Sequence, residues 1–182
     1  VSSSNAEAVE WIDRWPEWPS RALMIWGPAA SGKTHLGHVW CAVCGAERIS
    51  PEDVRAADAG TLRRRNSSFF LDDAEQLAGD GEGEEALLHL YNYLLGTDGA
   101  LLLASEKAPA FWPVALADLS SRMKALQGCG IAPPDDSLLA ALLIKQFQDR
   151  QLRVGEEVIT YLVPRMERSF EAVARIVTAI DT

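Results

Sequence analysis

The segment WGPAASGKTHL, residues 26–36, constrains the fold more than any other part of the sequence. It follows the apolar run ALMI, which is typical of a buried strand, and it precedes a segment of helical character. The two glycines and the small side chains between them let the main chain wrap closely around a compact anionic ligand. A phosphate-binding loop is therefore predicted from the G-x-x-x-x-G-K-T spacing of Gly27, Gly32, Lys33 and Thr34.

The residue types of this loop suit a nucleotide. Main-chain N–H groups and the dipole of the following helix would face the phosphates. Lys33 would reach the outer phosphates as a point charge, and the hydroxyl of Thr34 would ligate magnesium. The alternative, a glycine-rich turn with a surface lysine, does not account for the flanking strand and helix. The predicted nucleotide-binding residues are Gly27, Pro28, Ala29, Ala30, Ser31, Gly32, Lys33, Thr34 and His35.

A second motif, SSFFLDD at residues 67–73, ends an apolar strand in two carboxylates. Asp72 would stand beside the loop and hold magnesium through its water shell. Asp73 would point toward the terminal phosphate and orient an attacking water. An Asp-Asp pair after a strand favours a turn or a helix cap when taken alone. Its position about forty residues after a phosphate loop favours the magnesium site instead.

Apolar strands alternate with amphipathic helices up to about residue 132, which predicts an α/β fold with a parallel sheet. Three helices without intervening strands follow. Asp135 or Asp136 caps the first, and Pro164 lies in the last turn of the second or ends it. Strands are predicted at 22–26, 48–49, 67–73, 100–105 and 128–132, and GDGEGE at 79–84 is predicted to be a loop. We therefore divide the chain into an α/β nucleotide-binding subdomain at 1–132 and a small helical subdomain at 133–182.

The charge balance limits the kinds of partner. Among 182 residues, 26 are acidic and 17 are Lys or Arg, giving a net charge of −9. This balance disfavours a domain that binds nucleic acid through its phosphates. The one basic run, Arg63, Arg64 and Arg65, is interpreted as a solvated loop face. The three cysteines show no disulfide spacing and no apolar run is long enough for a membrane span, so a cytoplasmic protein is expected.

The two motifs resemble those of the AAA+ ATPases of the DnaA clade, and in particular the Hda-type regulators of replication initiation. The resemblance implies a P-loop AAA+ core with a five-stranded parallel sheet flanked by helices, a C-terminal helical lid, and ATP or ADP with magnesium as cofactors. It covers nearly the whole chain, through GKTHL at 32–36, LDDAE at 71–75, the sensor 1 strand LLLASEKAP at 101–109, LADLSSRMKAL at 116–126 and the last lid helix MERSFEAVARIVTAID at 166–181.

The resemblance also implies further site residues. Arg122 falls at the position of the arginine finger, which would face the nucleotide of a neighbouring molecule. Arg168 falls at the sensor 2 position, from which it would contact the terminal phosphate of the chain's own nucleotide. Together with Asp73, these arginines form the implied catalytic set. Without the resemblance, a surface salt bridge is the better interpretation of either arginine.

The sensor 1 strand departs from the family pattern. Where the family usually has a polar residue, this sequence has Ala104. Ser105 or Glu106 would then take the sensor 1 role, and the chain is expected to be an AAA+ ATPase with weak intrinsic hydrolysis.

The implied function is regulation of DNA replication initiation. An arginine supplied in trans would stimulate ATP hydrolysis on a DnaA-like initiator and thereby restrain initiation. The resemblance also implies the polymerase sliding clamp as a possible partner. The clamp-binding motif of Q-x-x-L-F character does not occur in the sequence, so it is either absent or lies upstream of Val1. No DNA-reading domain and no membrane contact are expected. A nucleotide-dependent homo-oligomer is a possible assembly.

Two alternative functions stay open. A helicase or transposition loader of the DnaC/IstB type shares the two motifs and would bind single-stranded DNA or a replicative helicase. A metabolic phosphotransferase on a P-loop fold is the second alternative, although its usual arginine-rich lid is not evident here.

Overall fold

A five-stranded parallel sheet forms the centre of the computed structural model, which describes residues 5–56 and 67–181. The order across the sheet is β2-β3-β4-β1-β5, and every neighbouring pair of strands is parallel. The α/β fold and the five strands predicted from the sequence are confirmed. The strands are β1 (Ala22–Trp26), β2 (Glu47–Ile49), β3 (Phe69–Leu71), β4 (Leu101–Ser105) and β5 (Gln127–Gly130).

Helices cover both faces of the sheet. One face packs against α1 and α2, and the other packs against α3, α4 and α5. In the described part of the chain, no helix is long and apolar enough to cross a bilayer. The α-helices there are α1 (Ala6–Asp13), α2 (Lys33–Cys44), α3 (Pro51–Ala56), α4 (Gly81–Leu95), α5 (Ala117–Ala125), α6 (Asp136–Asp149), α7 (Glu156–Leu162) and α8 (Phe170–Ile180).

The central strands β1 and β4 are apolar on both faces. Met24 and Leu103 belong to the core beneath α4, whereas Leu23 and Leu102 belong to the core beneath α2. All four side chains are fully buried. Strands covered on both sides have continuous apolar sequences, as these two do. Because all five strands run in parallel, their carboxyl ends meet at one edge of the sheet, where the predicted phosphate loop and Asp72 lie.

The three C-terminal helices share a core of their own, which includes Phe147 of α6 and Val173 of α8. The side chain of Asp135 accepts a hydrogen bond from the Leu138 N–H and caps α6, as predicted. The second helix passes into a 3-10 turn that contains Pro164, also as predicted. The subdomain division at residue 132 stays a prediction.

One predicted loop is wrong. The sequence GDGEGE, which begins at Gly79, belongs partly to α4, since that helix begins at Gly81. The reason is Glu84, which is only 1% exposed and whose carboxylate accepts hydrogen bonds from the N–H groups of Gly79, Ala115 and Leu116. These bonds tie the first turn of α4 to the segment before α5 and outweigh the low helix propensity of glycine. Two of the three donors are distant in sequence, so the local pattern could not reveal them.

We expect the substitution Glu84→Gln to lower the free energy of unfolding by about 1–3 kcal/mol, because the amide NH₂ would face N–H donors inside the protein. Urea unfolding checks this value. Burial favours the neutral acid, but the three N–H donors outweigh burial and lower the pKa of Glu84 from its ordinary value. The stabilisation by Glu84 should therefore be complete above pH 4.5 and disappear as the pH falls through the lowered pKa.

The matched control is Glu85→Gln, which changes the same charge at the neighbouring exposed position. Equal stability losses for the two variants would contradict the role assigned to the Glu84 hydrogen bonds.

The basic run Arg63, Arg64 and Arg65 lies outside the described residues. Its interpretation as a solvated loop face therefore stays a prediction.

Candidate functional site

The predicted phosphate loop connects β1 to α2 at the carboxyl edge of the sheet. Its first glycine, Gly27, donates its N–H to the carbonyl of Ser105 at the end of β4, with 3.1 Å between the atoms. A Cβ at Gly27 would collide with the carbonyl oxygen of Ile131. Glycine is required here because two main chains pass too close for any side chain.

Two residues of the loop have left-handed backbone conformations. Ala30 has a φ of 55° and Gly32 a φ of 99°. Such reversals turn successive N–H groups toward a common point, which is how main-chain nests bind anions. Gly32 lies at the N-terminus of α2, so the helix dipole acts at the same place. The loop thus has the backbone geometry that the sequence predicted for a phosphate site.

Lys33 lies inside the loop and is only 6% exposed. Its Nζ donates to the carbonyl oxygens of Gly27 and Pro28, at 2.8 Å each. These acceptors are neutral, and in the described part of the chain no ion pair joins the ammonium group to a carboxylate, although Asp73 lies within its electrostatic field. A phosphate oxygen would be a stronger, charge-assisted acceptor.

Thr34 and Asp72 come together as predicted. The Thr34 hydroxyl donates to Oδ2 of Asp72 at 2.8 Å, joining the first turn of α2 to the end of β3. Asp72 is only 5% exposed, and its Oδ1 is buried without a hydrogen-bond partner among the described residues. A hydroxyl beside an unsatisfied carboxylate oxygen fits the oxygen ligands that magnesium prefers. Ser31 Oγ is likewise buried without a partner in the described chain, which fits a further polar group in the loop.

Asp73 follows at the mouth of the loop and is exposed. Its φ of 51° is unusual for a residue with a side chain. Partial desolvation and the neighbouring Asp72 raise the pKa of Asp73, whereas Lys33 and Arg48 act in the opposite direction. The structure thus places Asp73 in the electrostatic field of the loop, and its assignment as the residue that orients water stays a prediction.

The two implied catalytic arginines form surface ion pairs. Arg122 Nε lies 2.9 Å from Oδ1 of Asp118, one helical turn away on α5, and its guanidinium also lies over the ring of Tyr91. Arg168 lies 2.7 Å from Oδ1 of Asp136 at the start of α6. Among the described residues, no hydrogen bond or ion pair joins either guanidinium to the loop, and the roles of both arginines stay predictions.

The two polar residues predicted for sensor 1 at the end of β4, Ser105 and Glu106, differ in exposure. Ala104 is fully buried in the core beneath α2. The Ser105 hydroxyl is also buried and donates to the carbonyl of Lys107 at 2.8 Å. Glu106 is exposed, and its N–H donates to Oε1 of Glu75 at 2.7 Å. Of the two polar residues predicted for this role, Glu106 is therefore the one whose side chain is accessible.

The structure adds two residues of α8 that the sequence did not indicate. A cavity of about 340 Å³ is lined by residues 30–35 of the loop together with Phe170 and Glu171. The Phe170 ring packs over Gly32, and its N–H donates to the carbonyl of Ala30 at 3.4 Å. The only local signal was the cap residue Ser169, which marks the start of α8 but not what α8 contacts.

Arg48 on β2 is the third residue that the sequence did not indicate. Its guanidinium lies 3.1 Å from Oδ2 of Asp72, the oxygen that also accepts the Thr34 hydrogen bond. A lone arginine on a short strand carries no motif, so this contact could be found only in the folded chain.

Larger cavities of about 460 and 660 Å³ lie between α6 and α7. Their linings are mostly apolar and offer no phosphate-binding loop. The smaller cavity at the loop is the candidate site because its backbone, ammonium and carboxylate groups match the chemistry of a nucleotide.

Comparison with known proteins gives a consistent result, although no family model matches the sequence. The chain is 25% identical over 185 residues to the chromosomal replication initiator protein DnaA of Symbiobacterium thermophilum, an alignment of 90% of this chain and 40% of that protein. The chain thus spans less than half the length of this relative.

Solved structures show the fold. Replication initiator DnaA bound to AMPPCP and single-stranded DNA matches with a TM-score of 0.81 and 21% identity, over 99% of this chain and 62% of that one. Domain III of Thermotoga maritima DnaA matches with a TM-score of 0.79 and 18% identity, over 99% and 82% of the two chains. The sheet and its flanking helices also match AAA domains more widely. The chain therefore has the fold of a DnaA-like AAA+ domain.

Proposed function

We propose that the chain is a nucleotide-binding regulatory AAA+ protein that takes ATP or ADP with magnesium and acts in the control of DNA replication initiation. The observation that carries the nucleotide assignment is the Thr34–Asp72 hydrogen bond of 2.8 Å beside the buried ammonium of Lys33. Magnesium, when bound there, neutralises phosphate charge. The chain's own groups bind and orient the phosphates, and Phe170 shields one side of the loop.

The comparisons support both the nucleotide and the role in replication initiation that are proposed here. A DnaA of the same fold has been solved with AMPPCP, an ATP analogue, which supports an adenine nucleotide as the ligand. The similarity to a replication initiator supports a role in initiation. A calorimetric titration with ADP and magnesium tests the nucleotide assignment directly, and the absence of any binding heat would contradict it.

We further propose that Arg122 acts in trans on a DnaA-like initiator, as the Hda-type resemblance implies. Its ion pair with Asp118 joins residues one turn apart on an exposed helix. Such pairs contribute at most about 1 kcal/mol, so a neighbour's phosphates could take over the guanidinium at little cost. A planar, permanently charged group suits the charge that develops during phosphoryl transfer.

The substitution Arg122→Ala should reduce the stimulation of ATP hydrolysis by about 10³-fold or more, the usual contribution of an arginine supplied in trans. The measurement is release of phosphate from an ATP-loaded DnaA-like initiator in the presence of a DNA-loaded sliding clamp. The clamp is included because the Hda-type resemblance implies it as a further partner.

Arg14→Ala is the matched control, because Arg14 also pairs with a carboxylate one turn away on an exposed helix, namely Glu10 of α1. Equal stimulation by the wild type and by Arg122→Ala would refute the arginine mechanism. It would leave the nucleotide assignment intact.

A loader of the DnaC/IstB type is the second candidate function. The observation that favours it is a DnaA of the same fold solved with single-stranded DNA. Co-precipitation from cell extract with and without ADP separates the candidates, since a loader should retain a replicative helicase and the proposed regulator should retain the initiator.

A further inference from the structure

Arg48 lies beside the predicted phosphate loop because β2 is the neighbour of β3, the strand that leads into Asp72. It lies on β2, where it pairs in register with Phe70 of β3. Paired residues of neighbouring parallel strands lie on the same face of a sheet, and Phe70 belongs to the core beneath α2. Asp72, two residues beyond Phe70, returns to that face. Arg48 therefore approaches Asp72 from the side on which α2 presents Thr34.

Two donors meet at one carboxylate oxygen. Oδ2 of Asp72 accepts hydrogen bonds from the Thr34 hydroxyl at 2.8 Å and from the Arg48 guanidinium at 3.1 Å. Asp72 is buried, whereas the Arg48 side chain is 52% exposed and stays accessible to a ligand at the mouth of the loop. The Arg48 guanidinium thus contacts Asp72, one of the two residues that would hold magnesium, at the same oxygen that accepts the hydrogen bond of the other, Thr34.

The charges at this point have a direct consequence. Arginine stays protonated at all physiological pH values, so Asp72 is neutralised by a group that cannot dissociate from the chain. A divalent cation placed beside Thr34 and Asp72 would be repelled by the guanidinium. The same guanidinium, together with Lys33, would attract the phosphates of a nucleotide.

We propose that Arg48 supplies, as part of the chain, much of the positive charge that a phosphate loop otherwise takes from magnesium, so that adenine nucleotide binds with little dependence on magnesium. This inference rests on the proposed nucleotide site and specifies its cation requirement.

The test measures the dissociation constant of a fluorescent ADP analogue in excess magnesium and in excess EDTA. For the wild type we expect the two constants to agree within about threefold. In Arg48→Gln, removal of the resident charge should weaken binding in EDTA and restore a magnesium dependence of roughly tenfold, the size expected for one full charge beside a phosphate chain near solvent. Arg48→Lys, which keeps the charge, should behave more like the wild type.

Arg55→Gln is the matched control. It also removes one positive charge, but Arg55 of α3 pairs with Asp80 outside the site. It should keep the wild-type magnesium response. The inference is overturned if the wild-type dissociation constant is at least tenfold higher in EDTA than in magnesium. It is also overturned if removal of magnesium changes the dissociation constants of Arg48→Gln and Arg55→Gln by the same factor. In both of these outcomes ADP still binds. Wild-type protein that binds no ADP under either condition would overturn the proposed function as well, so the two failures are distinct.

Discussion

Replacement of Lys33 by alanine is expected to weaken the binding of ADP and ATP by about 100-fold or more, the equivalent of about 3 kcal/mol for a charge-assisted contact. Lys33 is almost fully buried and donates only to the carbonyls of Gly27 and Pro28 in the described structure. A phosphate would give this ammonium group the counter-charge that the loop does not provide. Isothermal titration with each nucleotide measures the effect.

Lys124→Ala serves as the control, because Lys124 is an exposed lysine on α5 away from the loop. Circular dichroism of both variants establishes that they remain folded. Nucleotide affinity that is unchanged in Lys33→Ala would mean that the ammonium does not contact phosphate, and the proposed site would have to be abandoned.

The substitution Gly27→Ala should destabilise the protein by about 3 kcal/mol, the upper end of the range for overpacking. The added methyl group would meet the carbonyl oxygen of Ile131, which is main chain and cannot move aside as a side chain would. The loop would have to shift away from β5, so nucleotide binding should fail together with stability. Urea unfolding and an ADP titration measure the two effects.

Gly81→Ala is the corresponding control. A Cβ at Gly81, the first residue of α4, meets no other atom within 4 Å. We expect it to be neutral or to stabilise by about 0.5 kcal/mol, because alanine restricts the unfolded chain. Similar unfolding free energies for Gly27→Ala and Gly81→Ala would show that the Ile131 carbonyl leaves room for a side chain at position 27.

Features that depend on neighbouring residues were predictable from the sequence, and features that depend on distant residues were not. The junction of β1 and α2 was predictable because its signals, an apolar strand, two glycines and a lysine, all lie within residues 22–36. The start of α4 was not, because Glu84 is bound by Ala115 and Leu116 from a distant part of the chain. The local pattern of residues 79–84 favours a loop, whereas long-range hydrogen bonds start the helix at Gly81.

The same distinction applies to the candidate site. Thr34 and Asp72 were expected to meet because two recognisable motifs imply two neighbouring strand ends, and the 2.8 Å contact confirms their proximity. Phe170 and Arg48 belong to no motif. They reach the site only because α8 packs back onto the loop and because β2 pairs with β3.

The amino-acid sequence by itself determined the local parts of this protein: the order of strands and helices, an aspartate cap at the start of α6, the end of α7 near Pro164, and the predicted phosphate loop. These depend on backbone preferences and on the spacing of apolar residues over a few turns. Only the tertiary structure decided which side chains outside the two motifs lie beside that loop. Register across the sheet and the return of the last helix bring Arg48 and Phe170 to it, and neither is encoded within a short stretch of chain, because each depends on how distant surfaces are buried together.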